Sequence, residues 1–481
     1  MDSNLIARVD AGIGAAVDGL VVSHHRRRLR KLGWSHAYEE ASTPWVGGDP
    51  PPRAGTDVEI LVDGATFLPR LAEEMERAVS HVHIAGWYLS TELALARGKR
   101  RTVLLDLLAE LAARVDVRVL LWAGAPLPLF RPSRDKVREV AARLRSIGVQ
   151  VALDSRERPL HCHHEKLVVV DDAVATVGGI DLTSFCGDRF DSGEHPYRGS
   201  LGWHDAAALL RGPVVADVAD HFRLRWQEVT GEAVPAAQVP QRAGDRKLQL
   251  VQTIPEGIYA ARPRGQFRIL EAYLRALDSA ERLVYVETQF LWSPEIVDRL
   301  VEKLRDPPSD DFRLVVVLPS HPQSGNDESR GQVGQLADAD DGAGRFLACA
   351  LYAREGALSA PIYVHAKIAI VDDRWFTIGS ANLNEHSLFN DTELNVVAAD
   401  EELARATRER LWAEHLELSL DEVRLRDPVE LVDEVWKPLA VGQLRRRERG
   451  EPLTRRLVRL PAVSRRSRRL LGPLQGLVVD G

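Results

Sequence analysis

HHEKLVVVDDAVATVGGIDL (163–182) and VHAKIAIVDDRWFTIGSANL (364–383) are one pattern written twice. His164 matches His365, Lys166 matches Lys367, Asp171 matches Asp372, Asp172 matches Asp373, and Gly178 matches Gly379, each at the same offset. The flanks repeat as well: VHIAGWYLS resembles VYVETQFLW, and VRVLLW resembles RLVVVLP. A repeat at this spacing decides the architecture before any single element is read. The chain is two copies of one unit, each with the same polar cluster.

Around the two copies, helical and strand patterns alternate. Helical periodicity covers 61–80, 103–114, 134–148, 266–280 and 294–306. Short apolar runs at 81–90, 115–124, 149–155, 281–292 and 311–320 read as strands. Strands separated by helices of 10–15 residues predict an α/β fold with parallel or mixed sheets. The Pro-, Ala- and Gly-rich stretch after residue 230 reads as a linker. The predicted organisation is an N-terminal extension (1–54), a first unit (55–230), a linker (231–247), a second unit (248–440) and a basic tail (441–481). The polar, Gly-rich stretch 320–344 reads as a long loop, either a lid or a mobile surface excursion.

Each copy reads H-x-K-x4-D-x6-G-[GS]. LVVV (167–170) and IAIV (368–371) suit buried strands. Side chains i and i+2 share a face of a strand, so His164 and Lys166 point one way, as do His365 and Lys367. Asp171 and Asp372 would lie on the opposite face, where they are better structural anchors than acid–base groups. An imidazole beside an ammonium in a buried sheet is costly without an anion. Two such pairs around one point suit a phosphate, with the lysines holding its charge. One neutral imidazole can attack phosphorus and the opposite imidazolium can protonate the leaving oxygen. No residues have zinc or calcium spacing, and no cofactor is expected.

These motifs resemble the paired HKD signature of the phospholipase D superfamily, and the likeness runs from about residue 55 to 440. It is carried by HHEKLVVVDDAVATVGGIDLTSFCGDRFD (163–191), WHD (203–205), VYVETQFLW (284–292) and YVHAKIAIVDDRWFTIGSANLNEHSL (363–388). The resemblance is closest to the eukaryotic-type and related bacterial phospholipase D-like branch. It implies two α/β/α sandwich units related by a pseudo-twofold axis, with the active site at their interface. It also implies a catalytic set of His164, Lys166, Asp171, His365, Lys367 and Asp372, with His164 as nucleophile and His365 as acid and base. Asn382 matches a polar residue lining the phosphate site. Asp181 stands where many members have Asn. Glu393 is the acid expected behind His164, and Asp205 the one behind His365. Gly178, Gly179, Gly379 and Ser380 complete the motif environment. Thr288 departs from the usual Asn. His161 and His163 read as structural.

Composition bounds the remainder. The 481 residues are 45% hydrophobic and 28% charged, which excludes wholesale disorder. The net charge of −7 disfavours a nucleic-acid coat protein. Three cysteines form no disulfide framework. No apolar run is long enough for a membrane span, and the N-terminus does not read as a secretory signal, so the expected location is cytoplasmic. Arginines 445, 446, 447, 455, 456, 465, 466, 468 and 469 make the tail strongly basic. That tail could lie on an anionic membrane, dock on the acidic body or bind nucleic acid. The cluster 24–31 could add to the same patch.

The expected partner is a phospholipid, and a monomer suffices because the repeat supplies both halves of the site. The leading functional expectation is a phospholipase D-type phosphodiesterase, acting through a phosphohistidine without metal. A cardiolipin synthase-like phosphatidyltransferase, a nuclease and an inactive lipid-binding scaffold are the alternatives.

Overall fold

The computed structural model describes residues 3–98, 101–126, 131–159, 161–185, 187–320 and 326–461. The first copy contributes seven principal strands: β1 (Arg53–Val62), β2 (His81–Gly86), β3 (Asp116–Trp122), β4 (Gln150–Asp154), β5 (Leu167–Val170), β6 (Val174–Gly178) and β7 (Ala206–Arg211). The second contributes β8 (Arg246–Ile254), β9 (Leu283–Glu287), β10 (Arg313–Val317), β11 (Phe346–Glu355), β12 (Ile368–Val371), β13 (Trp375–Gly379) and β14 (Glu393–Ala399). The first sheet runs β4-β3-β2-β5-β6-β7-β1, parallel across β4, β3 and β2 and antiparallel thereafter. The second runs β11-β10-β9-β12-β13-β14-β8 with the same directions. The sequence repeat is thus a repeat of topology, and the α/β class with mixed sheets is what the structure has.

Helices repeat in step. α1 (Ser3–Leu32) precedes the first sheet. Then α2 (Gly64–Glu76), α3 (Leu104–Ala112), α4 (Arg134–Ser146) and α5 (Val214–Thr230) are matched by α6 (Arg268–Ser279), α7 (Pro294–Arg305), α8 (Asn326–Asp340) and α9 (Glu401–Leu416). One apolar core joins both sheets to α5 and α9. Separate cores lie under α2–α4 and under α6–α8. Strands covered on both faces explain why LVVV and IAIV are apolar at every position.

Three expectations need correction. The stretch 320–344 contains α8 rather than a long loop. A parallel connection from β10 to β11 needs a crossover, and a helix supplies it. Its buried Val333, Leu336 and Ala339 repeat at three-residue spacing, a stripe too thin to stand out among glycines and acids. The helical pattern at 61–80 begins instead with the end of β1, and α2 starts at Gly64. The histidines and lysines of the repeat precede β5 and β12 rather than lying on them.

The two sheets join twice. β1 pairs with β8, and Gly202–His204 runs parallel to Ile362–Val364. Residues 231–245 have no regular secondary structure. Among the described residues, no helix is long and apolar enough to cross a membrane.

Several arginines of the basic segments contact the body, while others, Arg445 among them, are exposed. Arg28 of α1 pairs with Glu256 at 2.7 Å. Arg446 donates to the Pro452 carbonyl at 2.7 Å, and Arg447 lies over the Tyr352 ring. Arg455 reaches the Glu417 carbonyl, and Arg456 the carbonyls of Gly193 and Glu194. Arg445 sits in the last turn of the helix Lys437–Glu448. The contacts of Arg28, Arg447, Arg455 and Arg456 hold the described part of these segments against the body. Arg465, Arg466, Arg468 and Arg469 lie outside the described residues.

Candidate active site

The site is built at the second junction and at its pseudo-symmetric counterpart. The backbone N–H of His365 donates to the His204 carbonyl at 2.7 Å. The N–H groups of His164 and Glu165 donate to the Thr392 carbonyl, each at 3.0 Å. Each H-x-K segment is therefore pinned to the residue that precedes an acid of the other repeat. Those acids are Asp205, just before β7, and Glu393, at the start of β14.

The side chains follow the same crossing. His164 Nδ1 lies 3.0 Å from Glu393 Oε1, and His365 Nδ1 lies 2.7 Å from Asp205 Oδ2. A carboxyl oxygen accepting from Nδ1–H, whether or not the carboxyl itself holds a proton, fixes the tautomer and leaves Nε2 for chemistry. The Glu393 carboxyl also accepts from Ser380 Oγ and, at 2.6 Å, from Ser387 Oγ. Burial pushes that carboxyl up to about 8, and burial likewise raises Asp205 to about 6.

Burial holds His365 neutral, reinforced by the charges of Lys367, Arg189, Lys166 and His164. The charged groups of the first motif thus act on the histidine of the second. Lys166 Nζ donates to its own motif's His164 carbonyl at 2.6 Å and lies 3.4 Å from Asp181 Oδ2. Lys367 Nζ donates to the His365 carbonyl and to Gln289 Oε1. Asn382 Nδ2 donates to the same Gln289 oxygen at 3.3 Å. Asp181 and Asn382 are thus equivalent in position but differ in charge. This arrangement can hold a tetrahedral oxyanion between two ammonium groups and pass protons on either side of it.

Asp171 and Asp372 do not join the centre. Asp171 accepts from the backbone N–H groups of Val79, Ser80 and His81 at 2.7–2.8 Å. Asp372 accepts from Glu281, Arg282 and Leu283, each at 2.7 Å. Both sit at positive φ in the tight turn of their hairpin. They belong with the scaffold, and their grouping with the catalytic set is corrected accordingly.

The glycines answer to space. A Cβ on Gly178 would meet Ala207 Cα at 2.4 Å, one on Gly179 would meet Asp205 Oδ1 at 2.2 Å, and one on Gly379 would meet Asn395 Oδ1 at 2.1 Å. His163 turns away from the centre, with Nε2 3.1 Å from Asp154 Oδ1 and Nδ1 2.8 Å from Thr392 Oγ1. His161 meets His386 at 2.9 Å. Thr288 serves local structure by donating to the Phe290 carbonyl. Its neighbour Gln289, which also donates to Tyr363 Oη at 2.9 Å, was missed by sequence reasoning. So were Ser387 and Arg189, whose guanidinium lies 3.2 Å over the Trp203 ring. Gln289 could have been suspected from its place beside the departure at Thr288.

The family described as "Cardiolipin synthase, PLD-like domain" matches residues 273–414. Phospholipase D A of Dictyostelium discoideum is 26% identical over 76% of this chain and 36% of its own length. Phospholipase D2 of Bos taurus is 25% identical over 73% of this chain and 50% of its own. The chain thus spans about a third to a half of the length of these relatives. The crystal structure of phosphatidylserine synthase from Haemophilus influenzae Rd KW20 superposes with a TM-score of 0.53 at 14% identity. That match covers 78% of this chain and 92% of the synthase, and it establishes a shared fold.

Proposed function

This chain belongs to the phospholipase D superfamily, and we propose that it cleaves the distal phosphodiester bond of a glycerophospholipid, releasing phosphatidic acid and the head-group alcohol. The observation that carries the reading is the crossed pair of buried contacts, His164 with Glu393 and His365 with Asp205. Two imidazoles with fixed tautomers, flanked by Lys166 and Lys367, match the needs of a two-step phosphoryl exchange.

The lysines hold the non-bridging oxygens of the diester. The negative charge that the diester brings lets His365 carry a proton. Nε2 of His164 attacks phosphorus, the bond to the head-group oxygen breaks, and His365 gives that oxygen its proton. The phosphatidyl group then sits on His164 through a P–N bond. His365, now neutral, takes a proton from water as the oxygen attacks phosphorus. The P–N bond breaks and His164 is restored. An alcohol in place of water gives a new phosphodiester by the same steps, which is the phosphatidyltransferase reading.

The test is incubation with mixed phospholipid vesicles and a little 1-butanol, read by mass spectrometry. Phosphatidic acid together with phosphatidylbutanol, both absent with His164→Ala, is the expected result. No lipid turnover by the folded wild-type chain overturns the reading.

A further inference from the structure

Behind Asp205 lies a second polar cluster that the proposed reaction does not use. Asp63 follows β1, His195 and His204 come from the segment between β6 and β7, and Glu414 is on α9. Asp63, His195 and His204 are each at most 3% exposed. Glu414 Oε1 is 3.1 Å from His195 Nε2 and 3.2 Å from His204 Nδ1. Asp63 Oδ1 is 3.2 Å from His204 Nδ1, and Asp63 Oδ2 is 3.5 Å from His195 Nε2. Each of the four residues turns one donor atom inward, and those atoms all lie within 4.8 Å of one another.

Those spacings have a simple geometric reading. Zinc–nitrogen and zinc–oxygen bonds of about 2.0–2.2 Å in a tetrahedron put neighbouring donor atoms about 3.3–3.5 Å apart. The separations of the two carboxylates from the two imidazoles, 3.1–3.5 Å, lie at or slightly below that edge length, and the remaining pairs lie within 4.8 Å. Asp63 Oδ2 has no hydrogen-bond partner despite full burial, and His204 Nδ1 is shared between two carboxylate oxygens, each 3.2 Å away, without a well-aligned bond to either. Buried polar atoms are ordinarily satisfied, so these call for one. The outer side of His204 is furnished, with Nε2 2.8 Å from Glu287 Oε2, while His195 Nδ1 has Asp191 Oδ2 at 3.5 Å, beyond an ordinary hydrogen bond. A carboxylate behind a metal-bound histidine orients the ring and raises its basicity. His195 is held at a φ of 44°, a conformation a non-glycine residue keeps only when its surroundings enforce it.

We infer that Asp63, His195, His204 and Glu414 form a structural site for a tetrahedral divalent transition ion, of which zinc fits the two-nitrogen, two-oxygen donor set best. All four positions are filled by protein, which leaves no open place for substrate and marks the site as structural. The ion ties the first repeat to α9 of the second. It also braces Asp205, because the Asp205 N–H donates to Asp63 Oδ1 and the Asp63 N–H to the Asp205 carbonyl. Sequence spacing held no sign of such a site because its ligands come from three separate parts of the chain.

The test uses the tag-free full chain grown with zinc and assayed by elemental mass spectrometry. One zinc per chain is expected, lost in His195→Asn and in Glu414→Gln. Stripping the wild type with a chelator should lower its Tm, and added zinc should restore it. Cobalt loaded into the stripped protein should give the intense visible bands of tetrahedral coordination. The wild-type measurements decide the matter even if a variant fails to fold. Absence of zinc, together with a Tm that zinc leaves unmoved, overturns the assignment. Full zinc retention by both variants overturns it too.

Discussion

His164 Nδ1 lies 3.0 Å from Glu393 Oε1, across 229 residues of chain and from one repeat into the other. The contact joins a nucleophile candidate to an acid whose own carboxyl is buried and held by two serines. Replacing His164 or His365 by Asn should lower kcat/KM by about 10²–10⁴-fold or more while near-ultraviolet circular dichroism stays unchanged. Retained turnover in either variant would rule out the paired-histidine mechanism.

Glu393 also sets a pH dependence of stability. Its folded-state value, pushed to about 8 by burial, exceeds the ordinary glutamate value of about 4.3. Between those values the folded state binds more protons than the unfolded one, so stability falls as pH rises through that window. Denaturant melts at pH 5 and pH 8 should show this loss in the wild type. Glu393→Gln should be more stable than the wild type at pH 8 and less active at every pH. A wild-type stability that does not fall between those pH values would contradict the buried, protonated acid.

The lysines should separate binding from folding. Lys166→Ala and Lys367→Ala each remove a charge-assisted contact, worth about 10–100-fold in affinity for an oxyanion such as tungstate. Titration calorimetry measures this directly. Unchanged tungstate affinity in both variants would place the anion elsewhere.

Gly179 offers a test at one remove. A methyl group there meets Asp205 Oδ1 at 2.2 Å, so Gly179→Ala should push the acid off His365. A loss of activity with little change in tungstate affinity is expected. Asp171→Ala and Asp372→Ala should do the reverse, costing about 1–3 kcal/mol of stability through three orphaned backbone N–H groups while leaving the centre's chemistry in place. Activity lost without any stability change would return these aspartates to the catalytic set.

The repeat was legible because duplication doubles every weak signal, and β5 and β12 confirm one another. α8 was not, because its place in the repeat supports a helix that its own composition hardly signals. The acids behind the histidines came from resemblance and not from spacing, since Asp205 and His365 are 160 residues apart. Separation in sequence, 78 and 93 residues, likewise hid Gln289, whose role depends on Lys367 and Asn382 reaching it from other segments. The turn aspartates were readable as anchors because the hairpin turns them away from the centre.

The seam between Gly202–His204 and Ile362–Val364 leads directly into Asp205 on one side and His365 on the other. A molecule that gapes at this seam therefore disarms its proton donor at once. On the proposed mechanism the same opening takes both proton transfers from His365, so a loosened molecule can neither form the phosphohistidine nor clear one already formed.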